Sequence, residues 1–289
     1  MASVLTNLFD GVAYGMLLFV LACGLAVTLG LMNFVNLAHG AFAMAGGYIC
    51  AVLVNNSGWP FFAALPLAFV ASAAIGIALE RTLYRHLYTR SHLDQVLFSI
   101  GLVFMSVAAV DYIMGSSRIF IKLPAALEGQ IDLFGVGIGR YRLMIVVICG
   151  LLTLALQLIL AKTRFGSRLR AAVDDPRAAI GLGINVPQVF AFTFAFGCGL
   201  AGLGGALSAE ILGLDPYFPL KFMIYFLIVV TVGGSSSITG PFLASLLLGI
   251  ADVAGKYYVP KMGPFVIYTV MIVILLWRPN GLFGRTPAR

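Results

Sequence analysis

Apolar and polar residues along this chain are arranged in long blocks. Apolar segments run over about 8–30, 40–54, 61–80, 95–114, 141–162, 187–213, 221–233, 240–255 and 264–278. A helix that crosses a bilayer needs roughly 20 apolar residues. Several segments are shorter, so the pattern supports eight or nine hydrophobic segments, some of them short, broken or re-entrant. Backbone groups cannot stay unpaired in hydrocarbon, which leaves helices or closed barrels. The alternating signature of a membrane barrel is absent from the sequence. The expected fold is therefore all-α, a polytopic membrane helical bundle.

Composition strengthens this picture. The chain has 289 residues, of which 61% are hydrophobic and 10% charged, and its mean hydropathy is +1.03. A soluble domain carries about 25% charged residues. No linker rich in Ser, Pro or charge divides the sequence, so residues 1–289 are expected to form a single transmembrane domain. The first basic residue is Arg81, which leaves no charged region to open a cleavable signal peptide. Cys23, Cys50, Cys149 and Cys198 all lie in apolar runs and read as small packing residues, without disulfide or zinc spacing.

The net charge of +7 needs no nucleic acid to explain it, because basic residues concentrate on the cytoplasmic side of membrane proteins. Five cations, Lys162, Arg164, Arg168, Arg170 and Arg177, fall in one polar island at about 162–188. If that island is cytoplasmic, alternation places Arg81, Arg85, Arg90, Arg278, Arg285 and Arg289 inside with it. Arg118, Lys122, Arg140, Arg142, Lys221, Lys256 and Lys261 then lie outside, a smaller set, as the rule requires. The N-terminus is expected outside and the C-terminus inside. The segment at about 115–140, with Pro124 and several glycines, becomes an outer loop or small cap.

The island also carries the punctuation of a short helix. Asp175 suits an N-cap, Pro176 the first helical position, and Gly183 the position just past the end. Such a helix between two apolar spans is not a lipid-facing object and is suited to being gripped from the cytoplasm.

Three other stretches invite chemistry. Asn33, Asn36 and His39 are spaced three apart, and at helical period would share a face. With Gly40, and with Ser235, Ser236 and Ser237 in the broken run 233–241, they are candidates to line or gate a pathway. The competing reading is a satisfied turn at the membrane surface. A faint echo between NLAHGAF (36–42) and SSITGPF (236–242) suggests an internal repeat with a helix break in each half. Gly197, Ala201, Gly205, Ala209 and Gly213 form a stripe of small residues, suited to close packing within the chain or against another subunit.

Asp111 and Asp252 lie near segment ends and are expected at the interface, and Glu210 in the headgroup region. An intramembrane serine protease with His39 as base is disfavoured, since no G-x-S-x-G motif occurs. No catalytic residue and no metal site are expected, one histidine offering too few ligands. Gly255-Lys256 is followed by Tyr257 and lacks the preceding glycine of a nucleotide-binding loop, so any energy from ATP must come from another polypeptide.

The segments GLMNFVNLAHGAFAMAGGY (30–48), FGSRLRAAVDDPRAAIGLGINVPQVFAFTFAFGCGLAGLGGAL (165–207), VGGSSSITGPFLASLLLGIADV (232–253) and LLWRPNGLFGR (275–285) resemble the permease subunits of branched-chain amino acid ABC transporters, the LivH/LivM type and closest to LivH. The resemblance runs nearly end to end. It implies that the island is a coupling loop that docks into an ATPase. The family pattern falls on Arg170, Ala171, Asp175, Ala179, Gly183 and Ile184, and Asp174, Pro176 and Arg177 belong to the same coupling segment.

The resemblance further implies a second, LivM-like permease, two ABC ATPase subunits that hold ATP and Mg, a periplasmic substrate-binding protein and the bacterial inner membrane. No cofactor is implied for this chain itself. Relatives that carry urea, short amides or small carboxylates keep the substrate open, and Asp215 stands in DPYFP (215–219) where an amide is expected in close relatives. A stand-alone secondary transporter is the reading from another class. It has no use for a capped docking helix.

Overall fold

The computed structural model describes residues 2–32, 34–88, 90–133, 136–234 and 238–283. Its helices are α1 (Ala2–Met32), α2 (His39–Ala51), α3 (Phe61–Thr82), α4 (His92–Met114), α5 (Arg140–Lys162), α6 (Arg164–Asp174), α7 (Pro176–Gly181), α8 (Val186–Leu212), α9 (Phe218–Gly233), α10 (Thr239–Tyr258) and α11 (Gly263–Trp277). Every apolar segment of the sequence lies on a helix. Among the described residues, α1, α3, α4, α5 and α8 are long and apolar enough to cross a membrane, while α9 and α11 are shorter apolar helices.

Two features were not expected. The outer segment folds its end into a hairpin, with β1 (Gln130–Leu133) antiparallel to β2 (Val136–Gly139) and Gln130 opposite Gly139. The polar island holds two helices, α6 and α7, not one. Thr163 opens α6, its hydroxyl accepting the Gly166 N–H at 3.3 Å.

Helices α1 and α8 form the centre and are buried around most of their circumference, whereas α3, α4 and α5 keep broad apolar faces exposed. On α4 these include Leu97, Phe104, Met105 and Ile113. In lipid such faces carry no penalty, and helix association rests on close packing instead. Glycine supplies the closeness. A Cβ at Gly11 would stand 2.7 Å from Ile250 Cα, and one at Gly15 would stand 2.7 Å from the Ser245 carbonyl, so α1 and α10 touch backbone to backbone. At the α1–α8 crossing a Cβ on Gly197 would lie 3.3 Å from Gly24 Cα, and one on Gly204 would lie 3.1 Å from the Leu21 nitrogen.

The expected small-residue stripe is consumed here, inside the chain. Ala201 and Ala209 are fully buried, and a Cβ at Gly205 would overlap the Ala43 carbonyl of α2. All four cysteines are free and buried.

The chain contains an inverted duplication of packing. α1 runs toward the island face and lies along α10; α8 runs away from that face and lies along α3. Each is followed by a break and a short helix, 33–38 before α2 and 213–217 before α9. The break at 213–217 stands to α8 and α9 as the first break stands to α1 and α2, and residues 235–237 of the sequence echo lie outside the described residues. The two short helices meet at their N-terminal ends, where a Cβ on Gly40 would stand 2.9 Å from Pro219 Cα.

This packing predicts a contrast. Gly205→Ala drives a methyl into the α2 backbone and should destabilise the fold by about 1–3 kcal/mol, the usual range for overpacking. Gly101→Ala, on α4 with nothing within 4 Å of the new carbon, should be neutral or stabilising by up to about 1 kcal/mol. Thermal unfolding of the two variants in detergent measures the difference, and equal midpoints would refute the backbone-contact account of α2–α8 packing.

Candidate functional site

The first candidate region is the break between α1 and α2. Asn33 lies outside the described residues. Residues 34–36 have no regular structure and 37–38 form a turn, so Asn36 and His39 do not share a helical face as their spacing suggested. The Asn36 carboxamide turns back on the chain instead. Its Oδ1 accepts the Ala38 N–H at 3.1 Å, the local turn bond typical of asparagine, and the Tyr84 hydroxyl at 3.0 Å. Burial pushes the Tyr84 phenol well above its ordinary range, so it stays a neutral donor.

The connection between α3 and α4 holds this break from outside. The Val35 N–H donates to Gln95 Oε1 at 3.1 Å, and Gln95 Nε2 donates to the carbonyls of Leu87 (3.2 Å) and Arg90 (3.3 Å). Phe34 packs edge-on against the rings of Tyr84 and Tyr88, with centroids 5.6 and 5.3 Å away. The Tyr88 hydroxyl donates to the buried Glu80 carboxylate at 3.1 Å.

His39 opens α2 and is buried at the α1–α8 crossing, where a side chain on Gly24 would collide with its ring. Phe226 of α9 meets it edge-on at 6.4 Å. His39 Nε2 and Asn36 Nδ2 are buried without a hydrogen-bond partner. Gly40 is buried against Pro219. Thus Asn36, His39 and Gly40 are brought together, inside the protomer and beneath the α9 N-terminus. Ser235, Ser236 and Ser237 lie outside the described residues.

The second candidate region is the island. Asp175 caps α7, its Oδ1 accepting the N–H groups of Arg177 (2.9 Å) and Ala178 (3.0 Å), and Pro176 takes the first helical position. The helix ends in a paired return. The Gly183 N–H donates to the Ile180 carbonyl at 2.9 Å and the Ile184 N–H to the Ala179 carbonyl at 3.0 Å. That closure requires a left-handed residue at 183, and Gly183 has φ +79°.

Ala179 is buried with Leu169, Ala172, Val186 and Val189 in a small core separate from the main one, with Ile184 packed against it. This core seats α7 on α6 and the start of α8. Asp174, Asp175, Pro176, Arg177 and Gly183 are exposed. Arg170 is exposed too, but one of its guanidinium nitrogens donates to the Leu160 carbonyl, tying α6 to the end of α5.

Sequence reasoning missed two apolar residues. Ile180 is 60% exposed and Leu182 80% exposed, at the tip of an otherwise polar elbow. Their signal was present, since Ala179 already accounts for the inward face of so short a helix and leaves its apolar neighbours no core to enter.

The opposite face is about 34 Å away along α5, a helix of 23 residues. There Leu214 pairs with Ile119 through reciprocal 2.8 Å backbone bonds, pinning the outer loop to the α8–α9 break. Asn55 ties the same loop down, donating to the Phe120 carbonyl at 2.8 Å and accepting the Lys122 N–H at 3.0 Å. Asp215 accepts the Tyr217 N–H at 3.0 Å and pairs with Lys221 and, at 3.7 Å, with Arg118. Its charge therefore closes a turn. Glu210 is half-buried. Asp252 lies near the end of α10 and is enclosed by protein, 1% exposed and paired with Lys256. Among the described residues no group of three or more His, Cys, Asp or Glu could hold a metal ion.

The chain matches the family described as branched-chain amino acid transport system / permease component over residues 7–275. It is 28% identical to the high-affinity branched-chain amino acid transport system permease protein LivH of Escherichia coli (strain K12), with 97% of this chain and 96% of the relative covered. It is 29% identical to the corresponding protein BraD of Pseudomonas aeruginosa, over the same shares of each. The permease protein LivM of Salmonella typhimurium is also similar, at 26% identity over 94% of this chain and 68% of the relative. No solved structure matches. With the match to residues 7–275 spanning nearly every helix described above, the chain belongs to the family of branched-chain amino acid transport system permease components.

Proposed function

We propose that this chain is one of two permease subunits of an ABC importer that moves branched-chain amino acids across the bacterial inner membrane. ATP and Mg are held by two separate ATPase subunits, and a periplasmic binding protein delivers the substrate. The observation that carries the reading is the α6–α7 elbow. It is capped at both ends, seated on its own small core, and presents Ile180, Leu182 and Arg177 to solvent. Exposed apolar side chains beside an arginine are the composition of an interface core, not of a solvated turn. This is what a groove on an ATPase would grip. The small core and the Arg170 bond to Leu160 pass displacement of the elbow to α5 and α8 as rigid bodies.

In this reading the island faces the cytoplasm together with the C-terminus, and the N-terminus faces the periplasm. The break at 34–38 and the start of α2 form the gate. It is latched to the α3–α4 connection by Tyr84 and Gln95, and its unpaired Asn36 Nδ2 and His39 Nε2 become hydrated when the latch opens. Ser235, Ser236 and Ser237 belong to the same gate in the second half of the chain.

Three outcomes follow. Ile180→Asp with Leu182→Asp should abolish ATPase stimulation and uptake in reconstituted complexes, while the thermal midpoint of the isolated permease pair stays unchanged. Stimulation at the wild-type level would defeat the docking role. Asp175→Lys with Gly183→Trp should uncouple hydrolysis from uptake through the helix itself, since loss of the cap alone costs about 0.5–2 kcal/mol and residue 183 needs a left-handed backbone. Normal coupling in that pair would rule out the elbow as the transmission. Cysteine placed at Asn36 or His39, in a chain freed of its own cysteines, should resist aqueous maleimide without nucleotide and react in the ATP-bound state. Shielding in both states would eliminate the gate.

A further inference from the structure

α3 and α5 meet at their outer ends, where Phe61 lies against Tyr141 with ring centroids 6.1 Å apart. Nearer the island a groove of about 390 Å³ lies between them, over α8. α3 lines it with Phe69, Ala73 and Ile77, α5 with Leu156 and Leu160, and α6 with Phe165 and Leu169 at the island end. The one polar side chain in the lining, Thr193, already donates its hydroxyl to the Val189 carbonyl at 2.7 Å. The lining therefore offers an occupant apolar surface and no side-chain hydrogen bond. Phe192, also in the lining, is 59% exposed, so the groove opens sideways from the bundle, where the bilayer lies. From Phe69 to Ile77 it runs about 12 Å along α3, against about 15 Å of hydrocarbon in one leaflet.

Cations flank the island end of this groove. Phe69, Ala73 and Ile77 are spaced four apart on α3, and the next member of that stripe is Arg81. On α6, Arg164 and Arg168 are also four apart and stand on the stripe beside Phe165 and Leu169. All three arginines are exposed, and among the described residues none of them forms an ion pair. Glu80, beside Arg81 in the chain, is buried and accepts the Tyr88 hydroxyl.

We infer that the groove holds one acyl chain of an anionic phospholipid from the leaflet at the island face, with the lipid phosphate among Arg81, Arg164 and Arg168. The walls suit a chain without polar groups, and the arginines one turn beyond them suit a negative charge at the end of that chain. A helix of a second permease would cover the walls and leave the three cations without a counter-charge. The seated chain touches Phe165 and Leu169, so it holds α6 against the bilayer surface. The site depends on the helices crossing a bilayer and not on what the permease carries.

The test uses the complete complex of both permeases and both ATPases in nanodiscs. Phosphatidylglycerol or phosphatidylcholine with a diazirine on one acyl chain is photolysed, and the labelled peptides are mapped. Phosphatidylglycerol should label the peptides around Leu156–Leu160 and Phe192–Phe196 at least about fivefold more than phosphatidylcholine, the factor for one basic residue at an anionic surface. The exposed α4 face at Leu97 and Phe104 should be labelled equally by both. Arg164→Gln with Arg168→Gln should remove the preference at the groove and leave α4 labelling unchanged, whereas Arg164→Lys with Arg168→Lys should keep it. Ala73→Trp, which fills the groove, should remove the excess label; should that variant fail to assemble, the exposed arginine positions decide. Equal labelling of the groove by the two lipids, or a preference that survives the glutamine pair, overturns the lipid site. So does a photoreactive benzoylphenylalanine in place of Phe192 that cross-links to the second permease instead of to lipid.

Discussion

Backbone-to-backbone contact between α1, α8 and their neighbours is the constraint on which the rest of this molecule depends. Lipid tails are as apolar as leucine, so hydrocarbon gives helices little reason to associate. What holds them is short-range dispersion, which weakens steeply once a gap opens between surfaces. Gly11 and Gly15 let α1 reach α10, Gly24 and Gly197 let it cross α8, and Gly205 lets α8 reach α2. With the two long helices locked together in this way, the more peripheral α3, α4 and α5 can offer apolar surface to lipid or to a second subunit without weakening the centre.

The same closeness makes the breaks possible. A chain that leaves its helix at membrane depth exposes polar backbone, tolerated only where protein or water supplies partners. At 33–38 the partners come from the α3–α4 connection, through Gln95 and Tyr84, and from Asn36 itself. At 213–217 they come from Ile119, in the segment that follows α4, and from Asp215. Each break is thus latched to the surface on its own side of the molecule, and the two short helices that follow converge at Gly40 and Pro219. Such an arrangement has two separate sets of backbone partners, one per face, around a common centre.

Between the faces run continuous helices. α5 begins beside Asp10 and a cavity of about 190 Å³ and ends at the Arg170 bond and the elbow. α8 begins in the small core under α7 and ends beside the same cavity at Ile211 and Leu212. α5 and α8 thus run unbroken between the elbow and the opposite face.

The sequence by itself determined the helical class, because hydrocarbon leaves the backbone no alternative. It also determined the segments, because their apolar runs are local, and the short capped helix at 176–181, because capping by Asp175 and Gly183 is decided within a few residues. The family was legible in motifs that span most of the chain. Only the tertiary structure decided which segments pair. The likeness of the breaks at 34–38 and 213–217 lies in packing and has no sequence signature. The spacing of Asn33, Asn36 and His39 suggested a helical face, but Asn36 bonds to the Ala38 N–H and to Tyr84 in a turn ahead of α2. Asp252 stands near a segment end, and its enclosure there is made by residues of three other helices. In each case the missing information was the identity of residues distant in the chain, which no local pattern encodes.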